Sequence, residues 1–196
     1  MKENLDFFKI QSNNMLPQRG RALIAEPFLQ DTYFKRSVVL LTEHNEEGTL
    51  GFVINNPVDF RINEIIKGFP DVDCLVSLGG PVRTDTVHYL HTVGHLLPEC
   101  EKVMESIYWG GDLEVLKKGL NDGWIQHYQV RFFVGYSSWY PGQLTREISE
   151  NSWLVTEIDG LDVMHGTDFR LWEKVLNQEE ERYQMWTRYP ENPLWN

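Results

Sequence analysis

Apolar residues in this chain come in short blocks separated by polar, glycine-bearing and proline-bearing stretches, a spacing that predicts strands joined by turns around a few short helices. Residues 21–26 and 37–43 read as buried strands, the second carrying Val38, Val39, Leu40 and Leu41 in succession, with a loop containing Pro27 and Asp31 between them. The HNEEG segment at 44–48 is a turn signal and 49–55 a third strand, so the second and third strands are expected to form an antiparallel hairpin ended by Asn56 and Pro57. A helix over 62–67 would gather Ile62, Ile65 and Ile66 on one side and stop at Gly68. Strands follow at 74–78 and 86–92, separated by a GGPV turn at 79–82, and one more is expected near 104–109.

Helical spacing takes over after Asp112, which is placed to cap a helix bearing Leu113, Leu116 and Leu120, with Gly123 at its exit. Residues 127–134 and 153–158 read as strands. Between them, Pro141 near a first turn and Leu144 with Ile148 four residues apart describe a short amphipathic helix. Thr167 is placed to cap a helix that turns Phe169, Trp172, Val175 and Leu176 inward. The tail, 179–196, mixes charge with Tyr183, Trp186, Tyr189 and Trp195, and is expected to dock on the body or on a second subunit, giving a homo-oligomer. Residues 1–14 read as a weakly ordered extension and 15–196 as one domain that includes this helical, aromatic tail. Strands intermixed with helices, and at least one hairpin, make the fold class α+β with a mixed sheet.

Composition narrows the function classes. With 196 residues, 41% of them hydrophobic, the chain can bury a substantial core. Its 29 acidic and 18 basic side chains give a net charge of −11, which disfavours direct nucleic-acid binding, although Arg19, Arg21, Lys35 and Arg36 could share a basic face. Apolar runs such as 38–41 fall far short of the roughly 20 residues that cross a bilayer. Asn4, Asp6 and Lys9 interrupt the apolar residues of the N-terminus, unlike a secretory signal, and the expected location is cytoplasmic. Cys74 and Cys100 stand apart from any CxxC pair and read as reduced packing residues.

Candidate chemistry is sparse. Ser137 lies in GYSSW, where Trp139 replaces the last glycine of a nucleophile elbow. His88, His91 and His95 would line up on a helix, but in a strand His88 and His91 point to opposite faces, so no metal site is expected. GGPV lacks the residues of a phosphate-binding or dinucleotide loop, and no cofactor is expected. Arg36, an always-charged group beside a buried strand, needs a partner, for which Asp31 and Glu147 are candidates. Alternatively, Arg36, Asn55, His91, Tyr136, Trp139, Gln143 and Glu147 would line a cleft for a small anionic or planar ligand, helped by a helix N-terminus at Pro141.

Five motifs in order, GRALIAEPFLQDTYFKRSVVLL from Gly20, GFVINNP from Gly51, GGPV from Gly79, the Leu90–His91 pair and RFFVGYSSWYPGQLTRE from Arg131, give a chain that resembles the YqgE/AlgH family of bacterial proteins over about residues 15–153. The resemblance implies a bent, partly barrel-like mixed sheet flanked by helices. It implies little chemistry, since members mostly carry no assigned activity, and the transcriptional-regulator label on AlgH-type proteins implies regulation without a known DNA-binding element. The chain departs from the pattern at Asn56, where a basic residue is expected, at Ser137 and Ser138, and beyond about Arg170, outside the core resemblance. The expectation is a non-catalytic binding or regulatory protein whose partner is an unknown protein or a small anionic ligand. The competing reading is a hydrolase or lyase acting on a small acidic substrate, with His91 as general base and Arg36 stabilising charge, which requires the two to converge on one atom.

Overall fold

The apolar blocks build a sheet outward from one hairpin. In the computed structural model, which describes residues 13–29, 31–166, 168 and 170–189, β2 (Val38–Asn45) turns back at Glu46 and Glu47 into β3 (Gly48–Val53), with Asn45 opposite Gly48. On one flank β1 (Ala22–Ala25) pairs antiparallel with β2, and β9 (Trp153–Thr156) with β1. On the other flank β3 pairs with the long β8 (Val130–Trp139), which pairs in turn with β5 (Val82–His91). Beyond β5 lie β7 (Ile107–Gly110) and β6 (Cys100–Met104), and β4 (Leu75–Leu78) runs parallel to β8. The result is a nine-stranded mixed sheet, ordered β6-β7-β5-β8-β3-β2-β1-β9, that is antiparallel except for β4 against β8. Among the described residues its end strands β6 and β9 do not pair, so the sheet bends without closing into a barrel.

The bend is made in β8. Its first half is gripped by β4 and β5, its second by β3, and Gly135 between them has φ +65°. A Cβ on Gly135 would meet the Val82 carbonyl oxygen at 2.8 Å and that of Gly80 at 2.9 Å, and one on Gly79 would meet the Gly135 oxygen at 2.5 Å. The glycines of GGPV and GYSSW are therefore there to let two backbones cross.

Among the described residues six α-helices flank the sheet: α1 (Ile62–Ile65), α2 (Leu113–Asp122), α3 (Gln143–Ser149), α4 (Gly160–His165), α5 (Arg170–Leu176) and α6 (Glu181–Gln184). Asp112 caps α2 as expected, accepting hydrogen bonds from the Glu114 and Val115 amides, and Gly123 ends it at φ +78°. Strand alternation sorts the apolar residues into three clusters. Ile24, Leu40, Phe52, Leu90 and Phe133 face Val163, Trp172, Leu176, Tyr183 and Trp186 of the C-terminal helices. Tyr89, Val130 and Phe132 face Ile62, Leu116 and Leu120 of α1 and α2. Leu23, Val39, Trp139 and Trp153 pack on Leu144 and Ile148 of α3.

Three expectations need correction. The single strand near 104–109 is a hairpin, β6 and β7, because Ser106 takes φ +64° and reverses the chain where the apolar pattern shows no break. The strand expected at 127–134 opens with a 3-10 turn, His127–Gln129, and β8 continues to Trp139. α4, capped by Asp159, was not anticipated at all, being only six residues long. Tyr183 and Trp186 are buried in the first cluster and Tyr189 packs against it, so these rings of the tail dock on the chain's own body. The expected cap Thr167, Phe169 and Trp195 lie outside the described residues.

Candidate functional site

His91 is at the end of β5, where Leu90 points into the first cluster and Tyr89 into the second. Its ring lies 6.0 Å from that of Tyr89 and stacks on Tyr108 at 5.8 Å. The Val93 amide donates to Nδ1 at 3.3 Å, which makes Nε2 the protonated nitrogen, donating to the Gly110 carbonyl at 3.0 Å. Burial pushes its pKa down from 6.5 to about 4, against the upward pull of the Gly110 hydrogen bond. Both nitrogens of a neutral, fully buried ring are thus committed to backbone.

Arg36 lies elsewhere. Its backbone is left-handed, at φ +51°, and its guanidinium lies 4.8 Å over the Trp172 ring, donates to the Tyr189 carbonyl and stands 3.8 Å from Glu173. Its partners are C-terminal groups, and neither Asp31 nor Glu147, the candidates from sequence, is among them. Trp172 belongs to the first cluster, on the sheet face opposite the one His91 shares with Tyr89. The pairing of His91 as base with Arg36 therefore has no common reacting atom. Asn55 is a clamp: its Oδ1 accepts from the Val38 amide at 2.8 Å and its Nδ2 donates to the Arg36 carbonyl at 2.9 Å.

The other expected residues form a separate cluster. Glu147 Oε2 accepts from the indole N–H groups of Trp139 and Trp153, both at 2.8 Å, and Oε1 accepts from Gln143 Nε2 at 2.8 Å. Gln143 Oε1 in turn accepts from the Tyr140 amide at 3.0 Å. Pro141 lies in the turn before α3, whose N-cap is Gly142 at φ +76°. Tyr136 packs edge-on against His88 at 5.5 Å, and with Trp139 lines an open cleft of about 320 Å³ that includes Glu43 and Glu47. Ser137 donates its hydroxyl to the Gly79 carbonyl at 3.0 Å and is fully buried. His88 contacts Phe52 of the first cluster, on the face opposite His91. Among the described residues no three His, Cys, Asp or Glu side chains gather as metal ligands.

Two features escaped the sequence reading. Arg131 of β8 is fully buried with no carboxylate beside it among the described residues: it donates to the carbonyls of Val163 at 2.5 Å, Gly166 at 3.2 Å and Ile54, and to Ser77 Oγ at 3.0 Å. Burial pulls its pKa down to about 9. A charged residue opening the apolar run RFFV was the available signal. The second feature is a cleft of about 250 Å³ between the 31–37 loop and the end of β3, lined by Thr32, Tyr33, Lys35, Arg36, Ser37, Val53, Asn55 and Asn56. It unites two of the expected residues, Arg36 and Asn55, and excludes the other five.

Comparison with known proteins decides the family. The AlgH-like family model (DUF179) matches residues 22–184. This chain belongs to the AlgH-like family. The AlgH-like chain is 42% identical to UPF0301 protein BF2109 of Bacteroides fragilis over 197 residues, and 41% identical to a UPF0301 protein of Bacteroides thetaiotaomicron, covering 100% of both partners each time. The match through residue 184 places α4, α5 and α6 inside the family, correcting the expectation that the chain beyond about Arg170 lies outside the core resemblance. Among solved structures, it resembles AlgH of Pseudomonas aeruginosa with a TM-score of 0.69 at 25% identity, covering 90% of this chain and 98% of that one. Protein DIP2367 of Corynebacterium diphtheriae shares the fold with a TM-score of 0.74 at 23% identity, over 96% of this chain and 100% of that one.

Proposed function

We propose that this AlgH-like chain is a non-catalytic binding protein with a regulatory output, acting in the cytoplasm through a small anionic ligand or a protein partner and without direct contact with DNA. One observation carries the reading: His91, Ser137 and Glu147, the groups the sequence put forward for chemistry or binding, are spent on the fold, while polar donors around the 31–37 loop are left open. His91 is held neutral between two backbone groups, Glu147 is saturated by three donors, and Ser137 is tied to Gly79. The Cys74 thiol is pushed up to about 12, first by burial and then by Asp73, which leaves it inert as a nucleophile. Both cysteines are free, in keeping with a reducing compartment, and the net charge of −11 opposes a polyanion.

The test is incubation with a panel of metabolites, esters and phosphoesters, following both thermal stabilisation and product formation. Stabilisation without turnover is expected. Turnover that disappears in His91→Gln or Arg36→Ala, with a cooperative melt retained, overturns the reading in favour of a hydrolase or lyase.

A further inference from the structure

Most clefts on a chain with 29 acidic and 18 basic side chains should contain a carboxylate, as the one beside Tyr136 does. The cleft at the 31–37 loop contains none. Its lining carries Lys35 and Arg36, two hydroxyls in Thr32 and Ser37, the Tyr33 phenol and the Asn56 amide. Among the described residues the side chains of Thr32, Lys35, Ser37 and Asn56 have no hydrogen-bond or ion-pair partner. Ser37 is only 3% exposed, so its unpaired hydroxyl is costly unless something polar meets it. The Arg36 guanidinium is committed to Tyr189 and Trp172, and Glu173 at 3.8 Å offsets part of its charge, which leaves Lys35 as the uncommitted cation of the site.

The frame is rigid as well as open. Asn55 bridges the Arg36 carbonyl and the Val38 amide, tying the loop to the end of β3, and the Ser37 amide donates to Phe34. Arg36 keeps a left-handed backbone between Lys35 and Ser37, a conformation that an L side chain holds only when its surroundings impose it. Donors fixed before binding cost little to order, and a volume near 250 Å³ lies just below the roughly 300 to 1,000 Å³ of drug-sized ligand pockets, which suits a smaller ligand.

We propose that this cleft is a binding site for a small oxyanion, a phosphate or carboxylate group, taken by Lys35 and by the Thr32, Ser37 and Asn56 side chains. The proposal rests on the binding reading above and names the ligand chemistry for it. A phosphate or carboxylate offers several acceptors to donors that have none, whereas a cation would meet Lys35 and no counter-charge.

Amide NMR of the full chain, titrated separately with inorganic phosphate, succinate and chloride at matched ionic strength, tests it. The expected result is a saturable shift at Thr32, Lys35, Ser37 and Asn56 with phosphate or succinate and none with chloride, the stronger of the two showing whether the group is phosphoryl or carboxylate. Asn56→Asp places a carboxylate in the cleft and should weaken binding about tenfold or more. Lys35→Gln should weaken it less, and both variants should melt cooperatively near the parent temperature, since neither side chain bonds within the fold. Shifts that track chloride, or that survive Asn56→Asp unchanged, overturn the oxyanion site. Saturable binding of an uncharged or cationic panel compound at these amides also overturns it, while leaving the binding reading of the protein intact.

Discussion

Replacing Arg131 with methionine should cost this fold more than any other single polar change described here. Methionine approximates the aliphatic stem but supplies no donor, so the carbonyls of Ile54, Val163 and Gly166 and the hydroxyl of Ser77 all lose their guanidinium. A buried acceptor left without a donor costs about 1–3 kcal/mol. Removing the buried charge gives back part of this, because a guanidinium whose pKa is held near 9 is already penalised by its surroundings. The backbone carbonyls cannot be replaced along with it, however, so the relief seen when a whole buried ion pair becomes apolar does not apply. A net loss of roughly 3–6 kcal/mol follows, a large part of a typical total stability of about 5–15 kcal/mol. Urea unfolding followed by far-UV circular dichroism and tryptophan fluorescence measures it, and the midpoint should fall by about 1 M or more. Arg131→Lys, with one ammonium for four dispersed acceptors, should fall between methionine and the parent. A methionine variant within about 1 kcal/mol of the parent would refute the reasoning, because it would mean that those carbonyls find donors elsewhere.

Two further outcomes can be checked on purified protein. Because the folded pKa of His91 is depressed to about 4 from 6.5, the unfolded chain binds the extra proton between those values, so its contribution is present above about pH 6.5 and is lost as pH falls toward 4. Unfolding free energies at pH 7 and pH 4.5 should differ by about 2 kcal/mol more in the parent than in His91→Gln, and an equal pH dependence in the two would contradict the assignment. Glu147→Gln removes the charge from an acceptor shared by Trp139, Trp153 and Gln143, and should cost about 2 kcal/mol together with a shift in tryptophan emission. Unchanged emission and melting would show that the indoles do not depend on the carboxylate.

What could be read from residue order was whatever local physics governs. The β2–β3 hairpin followed from HNEEG between apolar blocks, α2 from Asp112 and Gly123, and α3 from Leu144 with Ile148. The β6–β7 reversal did not, since it depends on a left-handed Ser106, and α4 was too short to show a period. The candidate site divided along the same line. Arg36 and Asn55 stood out because a charge and an amide beside buried strands demand partners, and the Asn55 amide does reach Arg36, though at its backbone carbonyl and not at its charge. His91, Trp139, Gln143 and Glu147 were grouped by chemical type, but which sheet face each occupies is set by pairing across many residues. Lys35, Ser37 and Asn56 lie within the family motifs, but nothing in the residue order marks them as a ligand site, and only the folded loop shows that their donors are unpaired.

β8 contributes Phe133 to one apolar cluster, Phe132 and Val130 to a second and Trp139 to the third. No layer of the molecule can then melt by itself without loosening the ribbon that the other two share. Amide protons along this ribbon should therefore exchange only through whole-molecule opening.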